Sequence, residues 1–385
     1  MTYELFPEAH GAILRGKLET TYSTDPTVAA GDVYRAPVEA AFDSFKRSAI
    51  SRQTQAAFIS GVKASPATAM GEYSIEVVLD HQALTSSTNI DTYADVPQAD
   101  AWLRAGGFQA TYTTNADYSG IKPDTTVLAA NNNDRILTYT YKPRSTSVAR
   151  TSARWEYTEI DESNEGLKHV LAGARHGWTL NMPGGEHWTL SCEGKSLPSV
   201  PTRVASPALG NGFDDNDAIV GLGGNYALTK FLSTAKTFGK ASETEAAANM
   251  EAFVYNMSLT SNLEIQEVIA PNGDFGVAQV RYVAGVPQLK CTIDQVMWSE
   301  DWDLYSFMNN ANGIRVSSAC PLPGSTTSFV LFTFTGQIVD IARGSDNGYR
   351  NVELTLDYIY PEFSGDDGGL DPDAGITFKY VTIES

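Results

Sequence analysis

Residues able to do chemistry are present in this chain, but they do not gather at the spacings that chemistry uses. The five histidines are His10, His81, His169, His176 and His187. His169 and His176 lie apart, with no HExxH or His-x-His pattern, so a zinc site is not expected. Glu186 and His187 could imitate an acid–base pair. They sit in Pro183-Gly-Gly-Glu-His187, between the alternating stretches Trp178–Asn181 and Trp188–Cys192, which reads as a hairpin turn. No GxSxG elbow and no phosphate-binding loop occurs. Gly221-Leu-Gly-Gly-Asn-Tyr226 opens like a dinucleotide fingerprint, but Tyr226 stands where the last glycine belongs, and a loop is expected. Asp366, Asp367, Asp371 and Asp373 cluster hard oxygen ligands that could take calcium. They lack the EF-hand spacing and its closing glutamate, so a solvated loop is the favoured reading and calcium stays open. The expectation is therefore no catalytic residues, no cofactor-binding residues and no metal site.

The composition points the same way. Of 385 residues, 42% are hydrophobic and 19% charged, enough apolar material for a sizeable core. The net charge of −19 argues against a nucleic-acid-binding protein, though not against a surface past which DNA slides without sticking. The charge is uneven: residues 1–205 hold 18 basic and 23 acidic side chains, residues 206–385 hold 9 and 23. The three cysteines, Cys192, Cys291 and Cys320, are odd in number and widely spaced, and free thiols in a reducing cytosol are expected. The opening residues lack the pattern of a secretory signal, and no apolar stretch reaches membrane-spanning length. Synthesis in a cytoplasm follows as an expectation, and the sequon Asn256-Met-Ser258 then carries no meaning.

Strands must position whatever these residues do. Alternation with a period of two runs through Tyr73–Asp80, Leu137–Tyr141, Ala153–Thr158 and Val352–Tyr360, each with one apolar and one polar face. Short strands are also expected at Gln109–Thr114, Leu289–Val296, Ile314–Ser318 and Phe329–Phe334. Helical signals are few. Pro97–Gly106 carries Trp102 and Leu103 and stops at Gly106-Gly107. Ser299–Ala311 has an N-capping serine, early acidic residues, and Trp302, Tyr305 and Met308 on one side. Glu243–Phe253 is a third candidate. The tryptophans Trp102, Trp155, Trp178, Trp188, Trp298 and Trp302 fall on apolar sides or beside turns, as core or subunit-contact residues do.

A weak internal repeat is visible. Residues 73–158 read strand, tryptophan-bearing helix, short strand, a Pro/Ser/Thr turn and an aromatic strand around Trp155. Residues 287–334 read the same order, ending in Phe329–Phe334. Between the halves, Ser206–Leu228 is rich in glycine and aspartate. The expected organisation is a first β domain over 1–205, a linker or loop over 206–240 and a second β domain over 241–385.

Certain motifs resemble a family, the major tail tube proteins of tailed bacteriophages with long non-contractile tails. Lys17-Leu-Glu-Thr-Thr-Tyr-Ser-Thr-Asp-Pro-Thr27 is similar to the family's K-x-E-x-x-Y-G-T-D-P-T segment, with Ser23 in place of glycine. Pro97–Phe108 resembles its L-L-R-A-x-G-F helix end, and Tyr141-Lys-Pro-Arg-Ser145 its Y-x-P-x-S turn. Leu171-Ala-Gly-Ala-Arg-His-Gly177, then Pro183-Gly-Gly-Glu186 and Cys192-Glu-Gly194, resemble L-x-G-A-R-G, an A-G-E turn and a strand ending F-x-G, with His176 inserted. The resemblance covers most of 15–205 and, more diffusely, 250–360. It implies a mainly β fold of duplicated sandwich or barrel domains, each flanked by a helix. It also implies a structural virion protein, not an enzyme, that polymerises as stacked rings into the tail tube and conducts phage DNA. Rings of three chains with pseudo-sixfold symmetry follow from the repeat, with six chains as the alternative. The neighbours it implies are the tape measure, tail terminator and distal tail proteins, and double-stranded DNA in passage, with no membrane. Loops such as Ala83–Asp91 and Ala116–Asn133 are candidates for ring-to-ring contacts. Other readings are a capsid decoration or receptor-binding module and, least favoured, an all-β carbohydrate-active enzyme with paired carboxylates.

Overall fold

The structure is a computed structural model. It describes residues 11–24, 26–29, 32–34, 40–55, 60–79, 96–97, 99–114, 135–143, 151–160, 165–207, 225–230, 249–250, 254–283, 285–294, 304–309, 313–321, 328–346, 349–358 and 376–384. The fold is mainly β and antiparallel. The first half runs β1 (Gly11–Glu19), β2 (Val33–Tyr34), β3 (Ala40–Gln55), β4 (Ser60–Val78), α1 (Asp100–Ala105), β5 (Phe108–Thr114), β6 (Arg135–Pro143), β7 (Ser152–Ile160), β8 (Glu165–Pro183), β9 (Thr189–Leu197) and β10 (Thr202–Ala205). The second runs β11 (Asn225–Lys230), β12 (Asn249–Met250), β13 (Val254–Thr260), β14 (Glu264–Asp274), β15 (Val277–Val283), β16 (Gln288–Asp294), α2 (Leu304–Asn309), β17 (Gly313–Pro321), β18 (Ser328–Asp346), β19 (Tyr349–Tyr358) and β20 (Thr377–Glu384). No described helix is long and apolar enough to cross a membrane.

The alternating stretches of the sequence become strands, most of them with one buried and one exposed face, but Leu137–Tyr141 is buried on both, because Thr138 and Thr140 are covered as well as the tyrosines. In β4, Tyr73 and Ile75 are buried while Ser74 and Glu76, which alternate with them, are exposed. β8 is shared between two sheets. Its first part pairs with β7, and its last part pairs with β9 along the opposite edge. The change falls at a bulge between Ala172 and Arg175, where Gly173 takes a φ of 62°. A side chain there would be strained, and its Cβ would stand 2.9 Å from the Tyr22 ring. The bend folds the β1–β7 layer over the β4–β9 layer. Leu14 and Trp155 from one meet Tyr73 and Ile75 from the other in a core that continues into the second half through Leu289, Leu354 and Phe334.

The strand pairings of the first half recur in the second, in the same chain order. β1 pairs with β2 and β7, β3 with β4, β4 with β9, β7 with β8, and β8 with β9 and β10. Likewise β11 pairs with β12 and β17, β13 with β16, β16 with β19, β17 with β18, and β18 with β19 and β20. The β5–β6 hairpin is extra in the first half, and the β14–β15 hairpin is extra in the second. Two further ladders join the halves, β8 with β13 and β6 with β20.

This recurrence corrects the phase of the sequence repeat. Sequence similarity sets β5 beside β17 and the Trp155 strand beside Phe329–Phe334. The pairings give β7 the place of β17 and β8 the place of β18. β5 misleads because it follows α1 in the chain as β17 follows α2. Residues 225–230, within the stretch read as linker, form β11 and pair with β17. Residues 249–250, within the third helix candidate, form β12, and the rest of that candidate up to 253 lies outside the described residues. The second helix is described over Leu304–Asn309.

Candidate assembly edges and polar sheet face

Two of the motifs found in the sequence meet in space. Glu19, from the Lys17–Thr27 segment, is buried at the bulge of β8. Its carboxylate accepts hydrogen bonds from the Gly173 N–H at 2.8 Å, the Ser23 N–H at 2.9 Å and the Ser152 hydroxyl. Tyr22 lies against Gly173, and the Arg175 guanidinium sits 4.7 Å from the Tyr22 ring centroid. Arg175 donates to the Val280 carbonyl at 2.6 Å, and the Val280 N–H donates to the Tyr22 hydroxyl at 2.7 Å. Tyr282 of the same hairpin donates its hydroxyl to the Ala105 carbonyl at the end of α1. The inserted β14–β15 hairpin is thus clamped onto the bend by residues of both motifs. These hydrogen bonds hold a backbone shape.

The ladders place β3, β4, β9, β8, β13, β16, β19 and β18 side by side in one row. One face of the row is core. The other carries Asp43, Glu72, Glu76 and Glu193 in the first half and Asp340, Glu353 and Asp357 in the second. Lys195, Lys290 and Lys46, which pairs with Glu72, are its main positive charges, and Thr179, Asn181, Ser258 and Thr260 form a neutral polar centre. Lys195 pairs with Glu267 at 2.9 Å, and Lys290 with Glu353 at 3.9 Å. The Glu267 carboxyl is held below its ordinary range by the Lys195 hydrogen bond. A groove of about 910 Å³ lies on this face, lined among others by Asp43, Glu72, Ser74, Thr179 and Glu193.

Each end of the row keeps an unpaired edge among the described residues. β3 pairs with β4 alone, so Ala40–Asp43 offer an open edge. β18 is covered on one edge by β17 only as far as Gln337, which leaves 338–346 open on that side. Ala41, Asp43, Val339, Asp340, Ala342, Gly344 and Ser345 are exposed there. Beyond Gly71, where pairing with β9 ends, β3 and β4 continue as a two-stranded arm to Gln55 and Ser60. The arm touches the β14–β15 turn through the Ala69 N–H and the Phe275 carbonyl, 3.2 Å apart.

Of the titratable groups singled out in the sequence, His10 and His81 lie outside the described residues. His176 is buried between the Tyr73 hydroxyl, 2.8 Å from Nδ1, and the Trp102 carbonyl, 2.7 Å from Nε2. The carbonyl takes the Nε2 proton, so Nδ1 accepts from Tyr73. Burial lowers the ring's pKa to about 4 against the opposing pull of that carbonyl. His169 lies elsewhere, 3.4 Å from the Ser44 hydroxyl. Glu186 and His187 are exposed in the turn that joins β8 to β9. All three cysteines are free and buried, and burial pushes the Cys291 thiol up to about 12. Sequence inspection missed Asp100, which is buried on α1 and accepts from Tyr139 at 2.8 Å and Tyr141 at 3.1 Å, with Arg104 at 3.3 Å. Burial raises its pKa despite these partners. The only available signal was an acidic residue in the first turn of a helix otherwise facing the core. Asp366–Asp373, Ala83–Asp91, Ala116–Asn133, Trp298 and Trp302 lie outside the described residues. Among the described residues no cluster of three or more His, Cys, Asp and Glu side chains could hold a metal. A comparison with protein-family models finds none that matches the chain, and a comparison with curated proteins finds no match.

Proposed function

We propose that the chain is a tail tube subunit of a bacteriophage with a long non-contractile tail, a structural protein whose working surfaces are strand edges and one polar sheet face. The observation that carries this reading is the row from β3 to β18, open at both ends among the described residues and built from two halves with recurring pairings. A row with unlike open edges adds the next copy head to tail, and a constant rotation per copy closes a ring. Closure removes the exposed edges that would otherwise template aggregation. Two equivalent halves per chain make three chains per ring the favoured count, with six as the alternative. The acid-rich face would line the channel, where carboxylates repel the phosphate backbone and let DNA pass. The β3–β4 arm carries Arg47, Arg52 and Lys63, beyond Lys46 which pairs with Glu72, and no acidic residue between 44 and 66, which suits an acidic neighbour in the next ring.

Negative-stain microscopy of the concentrated protein tests the reading. Hollow tubes or stacked rings with a central channel are expected, and top views give the number of chains. Discrete particles without a channel would refute it in favour of a binding module. The lumen assignment has its own test. Tubes carrying Glu76→Lys and Glu193→Lys are expected to bind double-stranded DNA about tenfold or more tightly than wild-type tubes at low salt, with the gain lost as salt rises. Equal DNA binding by wild-type and variant tubes would put this face on the outside.

A further inference from the structure

The chain already contains one finished version of the joint it needs between copies. In the β8–β13 ladder, Thr179 pairs with Thr260, Leu180 with Leu259, Asn181 with Ser258 and Met182 with Met257. β8 and β18 hold equivalent places, as do β13 and β3. Superposing the last rungs of the β4–β9 and β16–β19 ladders, Val78–Thr189 and Asp294–Asn351, sets the equivalence, and it places Asn181 with Gly344, the partners of Thr189 and Asn351. Leu180 pairs with Leu190, which pairs with Val77, whereas Arg343 pairs with Val352, which pairs with Ile293. Met257 lies opposite Cys291, and Ala40 lies opposite Ile75, the counterpart of Cys291. The segment of β18 equivalent to 179–182 is therefore 342–345, and the segment of β3 equivalent to 257–260 is 40–43. Both fall on the open edges.

We infer that residues 342–345 of one chain pair with residues 43–40 of a second copy in the register of the β8–β13 ladder: Ala342 with Asp43, Arg343 with Phe42, Gly344 with Ala41 and Ser345 with Ala40. The inference rests on the tube reading only for its biological setting. The side chains differ in an informative way. Within the chain, the core-facing pairs are Leu180–Leu259 and Met182–Met257, all buried. Between chains they become Arg343–Phe42 and Ser345–Ala40. Arg343 currently lies 5.7 Å from the Tyr305 ring centroid, and Phe42 stacks on Tyr157 at 4.6 Å. A cation and a serine on one strand, with β-bulges after Asp43 in the other, keep the edges from gluing at random. The joint between chains is thus weaker than the joint within a chain, and subunits stay separate until assembly begins.

Cysteine cross-linking tests the register. Thr179 Oγ1 and Thr260 Oγ1 lie 3.4 Å apart, so side chains at this pair face each other. Asp43→Cys and Ala342→Cys chains, mixed under assembly conditions and oxidised, are expected to give a disulfide-linked dimer that neither variant gives alone. The native cysteines are buried and add no background of their own. Tubes that form without the cross-link would overturn the register and leave the tube reading standing. The cross-link without tubes would support the register and remove the tube. Arg343→Leu, which restores the apolar pair seen in Leu180–Leu259, is expected to shift assembly to lower protein concentration. An unchanged or raised threshold would count against the pairing of Arg343 with Phe42.

Discussion

Trp155→Ala is expected to lower the unfolding free energy by about 3–5 kcal/mol, the usual cost of removing a large buried aromatic side chain. Trp155 is fully buried and stacks on Trp102 with ring centroids 3.7 Å apart and planes 7° from parallel. That stack helps pin α1 to the β1–β7 layer, and such pairs add about 0.5–1.5 kcal/mol beyond burial. The space is shaped by sequence on both sides. Gly16 lies opposite Trp155 on β1, and a Cβ at Gly16 would stand 2.0 Å from the indole Cε3. The surrounding strands cannot collapse into the gap, because their positions are set by ladders on both flanks. Urea unfolding followed by far-ultraviolet circular dichroism measures the change. Trp155→Phe, which keeps a ring in the slot, is expected to lose clearly less, and a loss below about 1 kcal/mol for Trp155→Ala would mean the slot does refill.

Trp155 also shows what was legible in the sequence. Its neighbours Arg154 and Glu156 alternate with it, so the strand and the burial of Trp155 could be read directly, whereas Thr158, expected on the wet face, is buried and Tyr157 only half-buried. Tyr73–Leu79 and the Pro183–His187 turn could also be read directly. What could not be read was pairing between distant strands. β5 follows α1 as β17 follows α2, and only the ladders reveal that β5 belongs to an insertion. The strand character of Asn225–Lys230 was hidden by the glycines just before it. The clamp of Glu19 and Tyr22 on Gly173 was invisible because its parts lie more than a hundred residues apart. Asp100 was missed for a related reason: a buried carboxylate is unusual, and its tyrosine partners come from β6, beyond a long connection.

The candidate working surface was legible only as a class. Acidic excess places many carboxylates at the surface, but it does not say which of them share a face. That is a property of the row. Glu72 and Glu193 are brought together by the β4–β9 ladder, and Glu353 and Asp357 by β19. Strand alternation then puts all of them opposite the core. The same alternation turns one register into a prediction about another chain, since a one-residue slip at the β3 edge would turn Phe42 to the polar side.

Stability should fall with acid in a way that a single histidine explains. His176 is held neutral, with a pKa of about 4 against an ordinary value of 6.5. Between those values the unfolded chain binds a proton that the folded chain refuses, so stability is complete above pH 6.5 and declines as pH falls toward 4. The loss over that window is about 3 kcal/mol. The groups facing the ring are Tyr73 from β4 and the Trp102 carbonyl from α1, and neither supplies a negative charge to welcome an imidazolium. Asp100 works in the opposite direction: its pKa is raised by burial, so acid relieves a cost there. A difference measurement separates the two. His176→Gln keeps a donor for the Trp102 carbonyl and an acceptor for Tyr73 but does not titrate. Urea unfolding of both proteins at pH 7.5 and pH 4.5 should show the variant less stable at the higher pH and less sensitive to the drop. Equal sensitivity in the two proteins would mean that His176 admits a proton in the folded state, and that α1 and β4 part to let it in.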